Sequence, residues 1–250
     1  MTGRYVAIGS SMASGPGIEP RVPGSPRPAG RSTLNYPHLV AERMGYDLVD
    51  VTYSGATTAN VLAERQHDSP AQVEALDGSE ALVTVTIGGN DVGYVPSLFV
   101  AGLPKVLRRL ALFFDGPPDA IEDCALVEVA ESLKAVGHEV RRRAPRARVL
   151  FTDYLTLLPP PGTPARPLAE SDVEAGRRIG AALEQLTAAA AEVTGCEVVR
   201  AGEASRAHHP WSADPWTTRP GLPWPRRPMP LHPNATGMRA VADLVVEKLS

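Results

Sequence analysis

Apolar residues follow two patterns along this chain. Five short runs, residues 4–10, 46–53, 81–88, 147–154 and 196–201, are apolar nearly throughout. Continuous rather than alternating apolarity suits strands covered on both faces, as in a parallel sheet. Between the runs the period changes to that of a helix. Leu126, Val129, Ala130, Leu133, Val136 and Val140 share one face, and Arg141, Arg142 and Arg143 close that helix, where cations suit the dipole. Those arginines read as a solvated helix end, not as a nucleic-acid patch. Ser171-Asp-Val-Glu174 predicts a capping box opening an alanine-rich helix that runs to about Val193. Met238, Val241, Ala242, Val245 and Leu249 make a last stripe, with Asn234 as its N-cap. Strands alternating with helices predict a doubly wound α/β fold. Nothing resembles a linker or a repeat, so one domain is expected over residues 1–250.

Composition narrows the function. Twenty-five basic and 28 acidic residues leave a net charge of −3, so no basic excess points to nucleic acid. No apolar stretch reaches the length of a membrane span, and the run from Tyr5 to Ile8 is too short for a signal peptide. Cys124 and Cys196 lack metal or C-x-x-C spacing, so two reduced thiols in a cytoplasmic protein are expected. Proline is the outlier, at 25 of 250 residues. The prolines cluster in residues 14–31, 159–167 and 204–231, the last stretch also holding Trp211, Trp216 and Trp224. Each cluster follows a predicted strand, and sheets of this kind hold ligands beyond the carboxyl ends of their strands. Long stiff loops there are expected to be functional.

The strand ends carry chemistry. The first ends at Gly9-Ser10-Ser11-Met12, the second at Tyr53-Ser54-Gly55-Ala56-Thr57-Thr58, the third at Ile87-Gly88-Gly89-Asn90-Asp91. Leu231-His232-Pro233-Asn234 precedes the last helix. A hydroxyl needs a base to become a nucleophile, and His232 is suited to that. Acyl transfer also needs donors for an oxyanion, which the backbone N–H of Ser11, the N–H of Gly55 and the side-chain amide of Asn90 can supply. Neither a Walker lysine nor a G-x-G-x-x-G spacing follows the first run, and no G-x-S-x-G elbow surrounds Ser11.

These four blocks, in this order, resemble the SGNH or GDSL-type serine hydrolases, and Tyr53-Ser-Gly-Ala-Thr-Thr58 resembles their actinomycete esterase and lipase branch. The resemblance covers nearly the whole chain. It implies a flavodoxin-like three-layer αβα sandwich with a five-stranded parallel sheet, ester or related acyl substrates, and no cofactor. By the same resemblance Ser11 matches the nucleophile, Gly55 and Asn90 the other oxyanion-hole positions, and His232 the base.

Three departures stand out. Ser10 sits where the family pattern has aspartate, and Ser54 where secreted relatives have a disulfide cysteine. Met229 sits three residues before His232, where the family's acid usually stands. A backbone carbonyl can hold a histidine in place of a carboxylate. The expectation is therefore a Ser11–His232 dyad whose Nδ1–H is accepted by the Met229 carbonyl. Asp214, in the tryptophan-rich stretch, is the alternative acid. Tyr94, Val95, Leu98 and Phe99, with Trp211, Trp216 and Trp224, are candidates to line an acyl pocket. His208 and His209 read as a loop pair with no metal, His38 as part of a helix start, and His138 as solvent-facing. An acyltransferase using the same residues, or a binder that has lost catalysis, would carry the same blocks.

Overall fold

A computed structural model of the chain describes residues 3–104, 106–108 and 123–250. Five strands, β1 (Arg4–Gly9), β2 (Asp47–Asp50), β3 (Glu80–Thr86), β4 (Arg148–Thr152) and β5 (Glu197–Val199), pair in parallel in the order β2-β1-β3-β4-β5. Each lies inside an apolar run predicted from sequence, apart from the first residue of β3. The helices of the described residues are α1 (Ser11–Ser14), α2 (Tyr36–Met44), α3 (Thr58–Leu62), α4 (Tyr94–Ala101), α5 (Asp123–Arg143), α6 (Glu170–Val193), α7 (Ala201–Ala204) and α8 (Ala235–Leu249).

Continuous apolarity has the expected cause. Alternate residues of each strand point to opposite faces, and both faces are covered. Tyr5, Ala7, Leu82, Leu150 and Val199 pack with Tyr36 and Val40 of α2 and Met238, Val241 and Val245 of α8. Val6, Ile8, Val83, Val85, Val149 and Phe151 pack with Val61 of α3, Leu133, Val136 and Val140 of α5, and Ile179 and Leu183 of α6. The architecture is the expected single-domain αβα sandwich.

Local signals are read correctly at some helix starts and not at others. Asn234 caps α8 by accepting from the Gly237 N–H at 2.9 Å. His38 donates its backbone N–H to Asn35, the N-cap of α2, so it does belong to a helix start. The Ser171 capping box does not form: α6 begins at Glu170, and its N-cap Ala169 has no side chain to accept a bond. Three arginines end α5, and His138 is exposed. Cys196 is a free, buried thiol, whereas the side chain of Cys124 lies outside the described residues. No helix among the described residues is long and apolar enough to cross a membrane.

The strand order reverses between β1 and β3, with β2 on one side and β4 and β5 on the other. A crevice opens at such a switch point beyond the carboxyl ends of the strands. Ser11 follows β1 by two residues and Asn90 follows β3 by four.

Candidate active site

Ser11 starts α1, two residues beyond Gly9, the last residue of β1, with Ser10 as the residue between them. The turn that carries it is pinned from three sides. The Ser10 N–H donates to the Thr86 carbonyl at the end of β3, 2.9 Å away. The Gln72 side chain accepts from the Gly9 N–H at 2.7 Å and donates to the Gly9 carbonyl at 3.1 Å. The Ser10 hydroxyl lies 3.2 Å from the Tyr154 hydroxyl.

His232 reaches this turn from the loop before α8. Its Nε2 lies 2.8 Å from Ser11 Oγ, and its Nδ1 lies 2.8 Å from the carbonyl oxygen of Pro230. A carbonyl can only accept, so the proton sits on Nδ1 and Nε2 is left to accept from the Ser11 hydroxyl. Burial pushes the His232 pKa below its ordinary 6.5, partly offset by the bond to Pro230. Ser11 and His232 are both buried.

The accepting carbonyl differs from the expectation. The Met229 carbonyl is already engaged, by the His232 N–H at 3.2 Å and the Thr218 hydroxyl at 2.6 Å. That first bond closes a turn over residues 229–232 in which Leu231 adopts φ +61°. The turn consumes the carbonyl of its first residue and leaves that of the second, Pro230, beside the ring. Asp214 is elsewhere: its carboxylate lies 3.4 Å from His208, whose ring stacks on Trp216. Among the described residues no carboxylate bonds or pairs with His232, and no cluster of acidic, histidine or cysteine side chains could hold a metal.

Donors gather opposite the histidine. Among the described hydrogen bonds the N–H groups of Ser11 and Gly55 have no acceptor. Gly55 has φ +79°, a conformation that side chains disfavour. The Asn90 amide donates to the Ala56 carbonyl at 2.8 Å, which fixes its orientation next to Gly55. Asp91 accepts from the backbone N–H of Thr58 at 3.0 Å and also from its hydroxyl, so the two loops are tied twice. Tyr154 ties the Asn90 loop to the Ser11 turn instead, its hydroxyl accepting from the Gly89 N–H at 3.0 Å and lying beside Ser10. A Cβ on Gly89 would come within 2.2 Å of the Tyr154 ring, so only glycine lets this ring approach.

Ser11, Gly55, Asn90 and His232 all line one cavity of about 580 Å³. Val95 and Phe99 are part of its wall, as read from sequence, with Pro96 between them in the chain. Tyr94 and Leu98 are not: both are buried, and they pack against Gly180 and Gly176 of α6. The tryptophans are not in the wall either. Trp211 donates its indole N–H to the Arg166 carbonyl, Trp216 stacks on His208, and Trp224 is exposed. The wall is completed by both proline loops, through Pro16, Pro28, Met229 and Pro230, and by Arg21 and Arg27, which the sequence reading missed. The 159–167 proline cluster contributes to a separate cavity instead, at Pro159, Pro160 and Pro161.

Comparison with known proteins gives the family. Residues 7–240 match the model of the GDSL-like Lipase/Acylhydrolase family. Lipase 2 of Streptomyces coelicolor is 34% identical over 98% of this chain and 85% of its own length. The crystal structure of phospholipase A1 from Streptomyces albidoflavus superposes with a TM-score of 0.81 at 26% identity, covering 99% of this chain and 100% of that one. An extracellular lipase from Streptomyces rimosus gives a TM-score of 0.80 at 27% identity, with 99% of each chain covered. The chain belongs to the GDSL-like lipase/acylhydrolase family and is a carboxylic ester hydrolase.

Proposed function

We propose that the protein cleaves carboxylic esters through an acyl-enzyme on Ser11, with His232 as general base and no carboxylate behind it. The observation that carries this reading is the chain of contacts from Pro230 carbonyl to His232 Nδ1, and from Nε2 to Ser11 Oγ, each 2.8 Å long. Nε2 takes the hydroxyl proton as Oγ attacks the ester carbonyl. The resulting oxyanion is received by the N–H groups of Ser11 and Gly55 and by the Asn90 amide, which are held before the charge forms. The imidazolium then protonates the leaving alcohol. Water, activated by the same nitrogen, releases the acid and restores Ser11. The apolar wall of Val95, Pro96, Phe99 and the proline loops suits the acyl chain of a lipid-type ester.

A fluorescent phosphonate tests the assignment directly. It should label the wild-type protein on Ser11 and leave Ser11→Ala unlabelled. The same variant should lose p-nitrophenyl ester hydrolysis by about 10⁴-fold or more while keeping its fold. Labelling of Ser11→Ala, or retention of more than a few per cent of activity, would remove Ser11 as the nucleophile.

A further inference from the structure

We propose that the mouth of the Ser11 cavity is a docking surface for an anionic lipid interface, with Trp224 as its apolar anchor. The proposal deepens the ester-hydrolase reading by saying where its substrate is met.

Exposure singles out one segment. Trp224 is 70% and Leu222 59% exposed, on the loop that leads to Met229 and Pro230 in the cavity wall. Trp211 and Trp216 are partly buried and engaged, so Trp224 is the tryptophan left facing solvent. A water-exposed tryptophan loses apolar hydration at a lipid headgroup boundary and keeps its indole N–H solvated there.

Charge selects the kind of interface. Arg226 and Arg227 are exposed and follow Trp224 almost directly, while Arg21 and Arg27 line the cavity itself. None of these four has an ion-pair partner among the described residues. Residues 15–31 and 215–231 hold six arginines and a single acid, Glu19, although the chain as a whole is negative. A local positive field of this kind favours an anionic surface, by about fivefold in partition per arginine near it.

The patch is also continuous and stiff. The Met229 N–H donates to the Pro16 carbonyl at 3.1 Å, and a Cβ on Gly17 would meet the Arg227 carbonyl at 2.0 Å, so the two loops pack backbone against backbone. Pro220, Pro223, Pro225 and Pro228 limit the conformations of the exposed segment. Little ordering entropy is then lost when it docks. An ester held in such an interface would face the cavity opening.

Co-sedimentation with vesicles tests the surface, and hydrolysis of soluble p-nitrophenyl acetate tests the chemistry separately. Wild-type protein should partition onto phosphatidylglycerol-containing vesicles, far less onto pure phosphatidylcholine, and less in 0.5 M salt, an ionic strength at which the field is screened within a few ångströms. Trp224→Ala, and Arg226→Gln with Arg227→Gln, should each lower partition roughly tenfold or more. They should slow cleavage of a vesicle-embedded ester in proportion and leave p-nitrophenyl acetate turnover unchanged. Trp224 fluorescence should shift to the blue on binding. Equal partition onto both vesicle types, or partition unaffected by the variants, overturns the proposal. So does a wild-type protein that cleaves the soluble ester and ignores vesicles. A protein that binds the anionic vesicles but cleaves no ester supports the surface and overturns the serine-hydrolase reading instead.

Discussion

The carbonyl oxygen of Pro230 and Nδ1 of His232 are 2.8 Å apart, so the residue that orients the base is two positions away from it in the chain. Met229 carries no carboxylate to offer the ring, whereas a carbonyl comes with the turn itself. Because every residue has a carbonyl, side-chain changes at 229 and 230 should be mild. Met229→Ala and Pro230→Ala should keep kcat within about tenfold of wild type if the turn holds. Asp214→Asn removes a carboxylate that pairs with His208 and not with His232 among the described residues, and should keep kcat within about threefold. A several-hundredfold loss in folded Asp214→Asn would show that a carboxylate serves the base.

Acid should inactivate the enzyme along a single limb set by His232. Burial places its pKa below 6.5, so the ring stays neutral, and able to accept the Ser11 proton, down to that lower value. The kcat/KM profile should be flat near neutrality and fall one log per pH unit below a midpoint under 6.5. A neutral carbonyl stabilises the imidazolium less than a carboxylate would, which favours the same direction. A midpoint above 6.5 would mean that an anion sits next to the ring.

Asn90→Ala should lower kcat by roughly 10²–10³ and change KM little, because its amide is held by Ala56 for charge that exists only in the transition state. Asn90→Asp should be at least as damaging, since it places an anion where an anion develops. An unchanged kcat with a raised KM would move Asn90 to ground-state binding.

Tyr154 links the nucleophile turn to the Asn90 loop through one hydroxyl, shared between Ser10 Oγ and the Gly89 N–H. Tyr154→Phe keeps the ring against Gly89 and removes both bonds. The expected result is a fall in kcat of about tenfold with KM and the acid limb unchanged. Ser10→Ala cuts one of the same bonds, so the double variant should lose less than the product of the two single losses. Strict additivity, or a loss of thermal stability with kcat unchanged, would reduce Tyr154 to a packing role.

Asp153 predicts a pH dependence of stability. Its carboxyl is buried at the end of β4, where burial raises the pKa to about 7 despite the bond from the Gly202 N–H at 2.8 Å. The folded state therefore holds a proton that the unfolded chain releases near 3.8. Stability from this group is present at pH 4 and declines as the pH rises to about 7, by at most about 4 kcal/mol. Asp153→Asn keeps the acceptor and removes the charge, so it should raise Tm at pH 8 and leave it nearly unchanged at pH 4. Equal effects at both pH values would show that the carboxyl does not titrate in this range.

Much of the molecule is legible in order along the chain. The five apolar runs identify the strands because burial on both faces admits no polar alternation, as Val6 and Ile8 on one side and Tyr5 and Ala7 on the other illustrate. The four blocks at Ser11, Gly55, Asn90 and His232 are legible because each lies next to an element whose end is marked locally, by a strand end or by a helix cap. The parallel sheet then brings those ends to one crevice, and the structure places all four in the wall of one cavity.

What escaped the sequence depends on geometry that no local pattern encodes. The carbonyl behind His232 belongs to Pro230 and not Met229 because Leu231 takes a left-handed conformation that closes the turn, and nothing in the residue type of leucine announces it. Tyr94 and Val95 are chain neighbours, yet one packs on α6 and the other lines the cavity, since adjacent helical residues point about 100° apart. Tyr154 lies 144 residues from Ser10 and 65 from Gly89, and only strand order brings β4 close enough for one hydroxyl to serve both. Sequence determined which groups stand at the ends of the strands, because hydrophobic burial is a property of each segment. Tertiary structure decided which of them touch, because a hydrogen bond is settled within tenths of an ångström and depends on the packing of segments far apart in the chain.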